Sequence, residues 1–309
     1  MKPLEAVLIK TSLVDYPERV AAACFLRGCN FRCPYCYNTE LVAPDAGAQA
    51  KDAAAIANQS QAQESGDYNC LQAQKSGAQA NRDKPQFVSI QDIIAHLKKR
   101  AAVLSGFVIS GGEPLCQPDA VCGLILEARS LGYKIKLDTN GAFPGRLQEL
   151  LSDPACAPDY VALDVKTAPA RYSELQAQDT ATVKAFQDLD AGGQDCSQDL
   201  NAEADSLACN ASQDQEAAAK KIIESIKIVS ALPADAREFR TVLYPPLVGQ
   251  AEIKGIANLL PKGARWFFAH FLNGHCLSAA AQNVQPYTEE KEAALVELSR
   301  SFIPGAELR

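Results

Sequence analysis

Short runs of apolar, β-branched and aromatic residues recur along the chain. They lie at "RVAAACFL" (19–26), "GFVIS" (106–110), "YKIKLDT" (133–139), "DYVALDVK" (159–166), "EFRTVLY" (238–244) and "RWFFAHF" (265–271). Each has the length and residue preference of a β-strand. Between them the apolar positions adopt helical spacing. Ile90, Ile93, Ile94 and Leu97 fall at i, i+3, i+4 and i+7, with Ser89 and Asp92 placed to start that helix. Val121, Leu124, Ile125, Ala128 and Leu131 repeat the pattern, and Gly132 follows as a stop. Ile222, Ile223, Ile226, Val229 and Ser230 repeat it again.

Six strands alternating with helices predict an α/β domain spanning 1–309, with parallel strands and helical crossovers. Polar residues gather where the strands end, at Ser110–Glu113, Asp138–Asn140 and Asp164–Lys166. In α/β folds that end carries the chemistry. Six units are too few for a closed eightfold barrel, so the expectation is a partial (β/α)6 barrel of the TIM type, open enough for a bulky substrate. Two stretches break the rhythm. Residues 43–86 and 176–216 are rich in Ala, Gln, Ser, Asp and Asn and poor in large apolar residues. Such segments bury too little to offset the entropy of ordering, which predicts low-complexity surface insertions, mobile or weakly helical.

A formal charge of −7 argues against a nucleic-acid partner, because phosphate binding needs clustered Lys and Arg. The opening "MKPLEAVLIKTSLVDYPE" holds no long apolar run. Neither a signal peptide nor a membrane span is expected there, and the reading is a cytoplasmic protein.

Three of the eleven cysteines lie together in "GCNFRCPYCYN" (28–38), spaced Cys29-x-x-x-Cys33-x-x-Cys36 with no fourth in line. The other eight are scattered and repeat no ligand spacing. A structural zinc site takes four ligands. Iron–sulfur cubes are held by cysteine thiolates, usually four. With three, one iron keeps an open position that a molecule with amino and carboxylate groups could chelate. Spacing alone leaves that cube and a degraded zinc knuckle both open. Gly28 precedes the sulfurs and Phe31, Tyr35 and Tyr37 surround them, apolar bulk that keeps water from a metal centre.

Cys-x-x-x-Cys-x-aromatic-Cys directly after a β-strand resembles the signature of the radical S-adenosylmethionine (AdoMet) superfamily. "ISGGEPL" (109–115), following the next predicted strand, matches that family's Gly-Gly-Glu-Pro turn. Within the family the chain is similar to glycyl-radical activating enzymes, in particular those serving anaerobic ribonucleoside-triphosphate reductase. The resemblance runs through "KTSLVDYP" (10–17), "VISGGEPL", "KLDTNG" (136–141), "YVALDVK" (160–166) and "EFRTVL" (238–243).

The resemblance implies one [4Fe-4S] cluster on Cys29, Cys33 and Cys36, its fourth iron taking the amino and carboxylate groups of AdoMet. Gly111, Gly112 and Glu113 would receive the AdoMet amino group. Backbone near Tyr35 and Tyr37 would lie along the adenine. Asp138, Thr139 and Asn140 would contact AdoMet, with a monovalent cation allowed near its carboxylate. Asp164 and Lys166 would contact AdoMet and the incoming partner as the catalytic pair, and Arg240 would serve the ribose or carboxylate. The implied partners are a glycyl-radical protein and a low-potential donor such as flavodoxin or ferredoxin. A pair of Asp164 with Lys166, or of Arg240 with Glu238, would also arise as plain ion pairing, and Asn140-Gly141 is a good turn whatever its function. His270 and His275 match no motif. The rival activities are activation of another glycyl-radical enzyme, radical chemistry on a small molecule such as a pterin-derived base, and a non-catalytic iron–sulfur electron carrier. The only cysteine in the first insertion is Cys70, so a single cluster is expected.

Overall fold

The computed structural model describes residues 5–42, 86–175 and 207–309, the side chains of the last stretch from Glu216 onward. Among the described residues the strands are β1 (Glu5–Ser12), β2 (Ala21–Leu26), β3 (Phe87–Ser89), β4 (Gly106–Gly111), β5 (Lys134–Thr139), β6 (Tyr160–Asp164), β7 (Arg237–Val242), β8 (Trp266–Ala269) and β9 (Ala306–Leu308). The helices are α1 (Thr39–Val42), α2 (Ile90–Arg100), α3 (Pro118–Ser130), α4 (Pro144–Ser152), α5 (Leu207–Ser230), α6 (Gln250–Ala257), α7 (Ala279–Gln282) and α8 (Glu289–Arg300). None is long and apolar enough to cross a membrane.

These elements form two compact units. One holds the described residues up to Asp138 together with Leu272–Pro286; the other holds Thr139–Phe271 and Tyr287–Arg309. In the first, strands lie side by side in the order β3, β1, β2, β4, β5. β2, β4 and β5 run parallel, while β1 is antiparallel to both β2 and β3. In the second, β6, β7, β8 and β9 are all parallel. The class expected from the sequence, α/β with parallel strands and helical crossovers, is what both units show.

All six predicted strands form. Residues 89–92 start α2 as read: Ser89 Oγ accepts from the Asp92 amide, and Asp92 returns a hydrogen bond to the Ser89 amide, closing a capping box. β1, β3 and β9 were not foreseen. β3 and β9 have three residues each, too few for any period to show. β1 is longer but half-exposed, and its pairing with β2 shifts between Ile9 and Ser12, which blurs the alternation of a regular strand. Residues 43–85 of the first insertion and 176–206 of the second lie outside the described residues. Residues 207–216 belong to α5, which runs on to Ser230.

The register fixes two faces in the first unit. Leu26 aligns with Gly111, Ala23 with Val108, and Val108 with Lys136. One face therefore carries Ala21, Ala23, Val108, Ser110, Lys136 and Asp138, and the other Cys24, Leu26, Phe107, Ile109, Ile135 and Leu137. The second face is apolar throughout and almost fully buried.

Candidate active site

The cysteine loop leaves the carboxyl end of β2 and returns into α1, and the Gly-Gly-Glu turn leaves the carboxyl end of β4. Because Leu26 and Gly111 share a register position, loop and turn emerge side by side. Backbone hydrogen bonds lock them. The Gly112 amide donates to the Leu26 carbonyl at 3.0 Å and the Glu113 amide to the Gly28 carbonyl at 2.8 Å. Steric room decides the residue types here. Gly111 has φ +140°, and a Cβ on it would overlap the Leu26 backbone. A Cβ on Gly112 would overlap the Gly28 carbonyl and lie 2.9 Å from the Cys29 Cβ. Both glycines thus let two backbones meet, a demand that exists before any ligand arrives.

Cys29 and Cys33 are buried and Cys36 half-buried, all as thiols rather than disulfides. The Phe31 amide donates to Cys29 Sγ at 3.4 Å. Burial pushes the Cys29 thiol well above the ordinary range; Cys33, and more weakly Cys36 and Glu113, push it further, against the lowering by the Phe31 amide. A buried set of thiols and a carboxylate that oppose one another's ionisation is relieved by a centre of high positive charge. The loop therefore fits an iron–sulfur cluster. Phe31 and Tyr35, both nearly inaccessible, supply the apolar walls.

A distant segment supports the loop. The Leu277 amide donates to the Cys36 carbonyl and the Ser278 amide to the Pro34 carbonyl, each at 3.0 Å. The Tyr37 hydroxyl bonds the backbone of Leu272, and Thr39 Oγ1 lies 3.0 Å from His275 Nε2. His275, unassigned from sequence, is thus part of the loop's support.

Glu113 is fully buried, and its Oε1 accepts from the Leu115 amide at 3.0 Å. Asp138 is the penultimate residue of β5, and Lys136 Nζ reaches its Oδ1 at 2.8 Å. The sequence reading passed over Lys136, because a lysine within a strand gives no sign of whether it is buried.

In the second unit, Thr139 and Asn140 are buried and shape the turn that leaves β5: Thr139 Oγ1 accepts from the Gly141 amide at 3.2 Å and Asn140 Oδ1 from the Ala142 amide at 3.0 Å. Asp164, Lys166 and Arg240 come together. Arg240 Nε is 2.7 Å from Asp164 Oδ1 and Lys166 Nζ 3.3 Å from Asp164 Oδ2. Burial raises the Asp164 carboxyl, but the Arg240 guanidinium and Lys166 ammonium outweigh it by charge and hydrogen bonds and hold it at about 2. Arg240 lies 4.0 Å from Glu238, so its main partner is Asp164 and not its neighbour in sequence. Glu238, almost inaccessible, accepts from the Tyr160 hydroxyl at 2.9 Å. Burial, then Glu238, push that phenol well above its usual range. His270 bonds Glu292 at 2.6 Å, a pairing within this unit that no motif announced.

The profile of the Radical SAM superfamily matches residues 24–187, more than half of the chain. A Methanocaldococcus jannaschii protein provisionally named a glycyl-radical enzyme activating enzyme is 30% identical over 175 residues, 57% of this chain and 55% of that protein. The chain thus spans about half the length of the relative it matches. Among solved structures, QueE from Escherichia coli is similar at 14% identity and a TM-score of 0.29, over 63% of this chain and 77% of that one.

Proposed function

This chain belongs to the radical SAM superfamily, and on that premise we propose that it activates a glycyl-radical enzyme, with anaerobic ribonucleoside-triphosphate reductase as the partner. The observation that carries the reading is the loop itself: three thiols beyond β2, locked against a buried glutamate beyond β4. The partner assignment is supported by the likeness of "KTSLVDYP", "KLDTNG" and "YVALDVK" to such activases, and by the name of the M. jannaschii relative. A low-potential one-electron donor of the flavodoxin or ferredoxin type completes the system.

When bound, the cluster and AdoMet would supply one-electron reductive cleavage of the sulfonium C5′–S bond, the chemistry by which hydrogen would be abstracted from a glycine Cα of the partner. Cys29, Cys33 and Cys36 would hold the cluster, and the buried Phe31 and Tyr35 would keep water from it. The amides of Gly112 and Glu113 are spent on Leu26 and Gly28, so the turn offers an ammonium group acceptors: a backbone carbonyl and the Glu113 carboxylate. Backbone at Tyr35 and Tyr37 takes the adenine. Asp138, Thr139 and Asn140 contact AdoMet, and Arg240 takes its ribose or carboxylate. Asp164 stays ionised at any physiological pH, so it serves with Lys166 in binding AdoMet and partner rather than in moving a proton.

The test is anaerobic. Protein reconstituted with iron and sulfide, reduced with dithionite and given AdoMet should release 5′-deoxyadenosine and methionine. Adding the reductase should produce a glycyl-radical doublet in the electron paramagnetic resonance spectrum. Cleavage without any doublet would remove the partner assignment; absence of cleavage by a fully loaded, reduced protein would remove the activity.

A further inference from the structure

Lys136 is among the largest fully buried side chains of the protein, at 2% relative exposure. Lysine is almost never buried to that degree unless its charge is met. Here one partner is Asp138: Nζ lies 2.8 Å from its Oδ1, two positions along β5 and on the same face. Lys134, the preceding residue on that face, is exposed, so burial singles out Lys136. The register explains how a long side chain fits. Val108 sits beside Lys136 on β4, and Ala23 lies one strand further, beside Val108 on β2, so this face of the sheet carries shorter side chains next to the lysine. The stem is packed in and the ammonium is delivered to the carboxyl end of the strand.

That end is where the resemblance places AdoMet against Asp138 and allows a monovalent cation near its carboxylate. Two carboxylates sharing one place need a positive charge between or beside them. A dissolved alkali ion would enter a site where an ammonium already sits at hydrogen-bonding distance from the same aspartate, and like charges at such range repel strongly out of bulk water.

We infer that Lys136 is the resident monovalent cation of this site: its ammonium neutralises Asp138 in place of a bound alkali ion, and Lys136 is thereby a positioning residue for AdoMet. The inference rests on the proposed placement of AdoMet at Asp138. It makes AdoMet binding by the wild-type protein indifferent to the alkali ion in the buffer, and transfers that dependence to any variant lacking the ammonium.

The experiment measures AdoMet binding to the reconstituted, oxidised protein by equilibrium dialysis, where no turnover occurs. Potassium, sodium and tetramethylammonium are compared at constant ionic strength. Wild-type Kd should agree within about twofold across the three, since its cation is covalently attached; the scale to beat is the tenfold or more that loss of one member of a buried charge pair produces. Lys136→Met should bind at least about tenfold more weakly in tetramethylammonium and recover most of that loss in potassium. Its melting temperature without AdoMet should also rise with potassium, while the wild type's stays fixed. Lys136→Arg, which keeps the charge, should remain indifferent to the ion.

A wild-type Kd that tightens about tenfold with saturating potassium would overturn the inference without any variant having to fold. So would a folded Lys136→Met that matches the wild type in every buffer while Asp138→Asn weakens binding; in that case AdoMet still sits at Asp138. If neither Asp138→Asn nor Lys136→Met changes Kd, the placement of AdoMet at Asp138 fails, and the inference with it.

Discussion

The amide of Leu277 donates to the carbonyl of Cys36 at 3.0 Å. A cysteine of the proposed cluster is thus steadied by a residue from the other end of the described chain. Ser278 repeats the contact at Pro34, and Leu272 takes the Tyr37 hydroxyl. Loops that hold a metal usually owe their shape to their own turns and to a surrounding shell of hydrogen bonds. Here much of that shell comes from residues 272–278.

Loosening this support should expose the cluster. Tyr37→Phe removes the hydroxyl that bonds the Leu272 backbone, a loss of about 1 kcal/mol per hydrogen bond. The expected outcome is near-normal cluster content on reconstitution but iron release to a chelator roughly thirtyfold faster, in line with two lost bonds at about 1 kcal/mol each. Absorbance of the iron–chelator complex against time measures it.

Cysteines in and out of the loop should behave oppositely. Cys36→Ala should lose the cluster, whereas Cys24→Ala should retain about four irons and four sulfides per chain, as one cube requires. Cys24 lies within β2 with no accessible surface, and burial pushes its thiol up to about 12, against the lowering by backbone bonds from Ser110 and its own amide. Alkylation of the native protein at pH 8 should accordingly spare it, and labelling followed by mass spectrometry would show this.

Two glycine substitutions make a matched pair. Gly112→Ala drives a methyl into the Gly28 carbonyl, a backbone neighbour that cannot swing aside, and against the Cys29 Cβ, which is fixed to its own backbone. A cost above about 3 kcal/mol is expected, with loss of cluster binding. Gly123→Ala, in α3 with nothing within 4 Å of the new methyl, should stabilise by about 0.5–1 kcal/mol. Urea denaturation of both variants measures the contrast.

Acid should dissolve one ion-pair cluster selectively. The folded carboxyl of Asp164 is held at about 2, below its unfolded value, so its contribution is present above about pH 4 and is lost as pH falls towards 2. Because the group is partly exposed, on the order of 1–2 kcal/mol is expected. Asp164→Asn should be less stable than wild type by that amount at pH 6, and the gap should close as the pH approaches 2. Denaturant midpoints taken across that range would reveal it.

Much of the fold was legible in the sequence because it is written locally. Strand and helix periods need only neighbouring residues, and all six foreseen strands appear. The cysteine loop and the Gly-Gly-Glu turn are short, contiguous motifs: their spacing left cube and zinc knuckle both open, and their resemblance to the radical SAM signature pointed to the superfamily before any coordinate.

What the tertiary structure alone decided concerns partners distant along the chain. The sequence offered Glu238 as the neighbour of Arg240. In a strand, however, residues two apart are separated by roughly 6.6 Å of rise, while residues in register on adjacent strands sit about 5 Å apart. Asp164, the register partner of Arg240, therefore takes the closer bond. Lys136 gives no sign of burial in the sequence; its burial and its bond to Asp138 appear only once β5 packs beside β4, where Val108 is its register partner. The role of residues 272–278 appears only once the chain has returned to the cysteine loop. Local order follows from each residue's own preferences. Charge pairing and burial follow from which strands become neighbours, and that is settled only when the whole core packs.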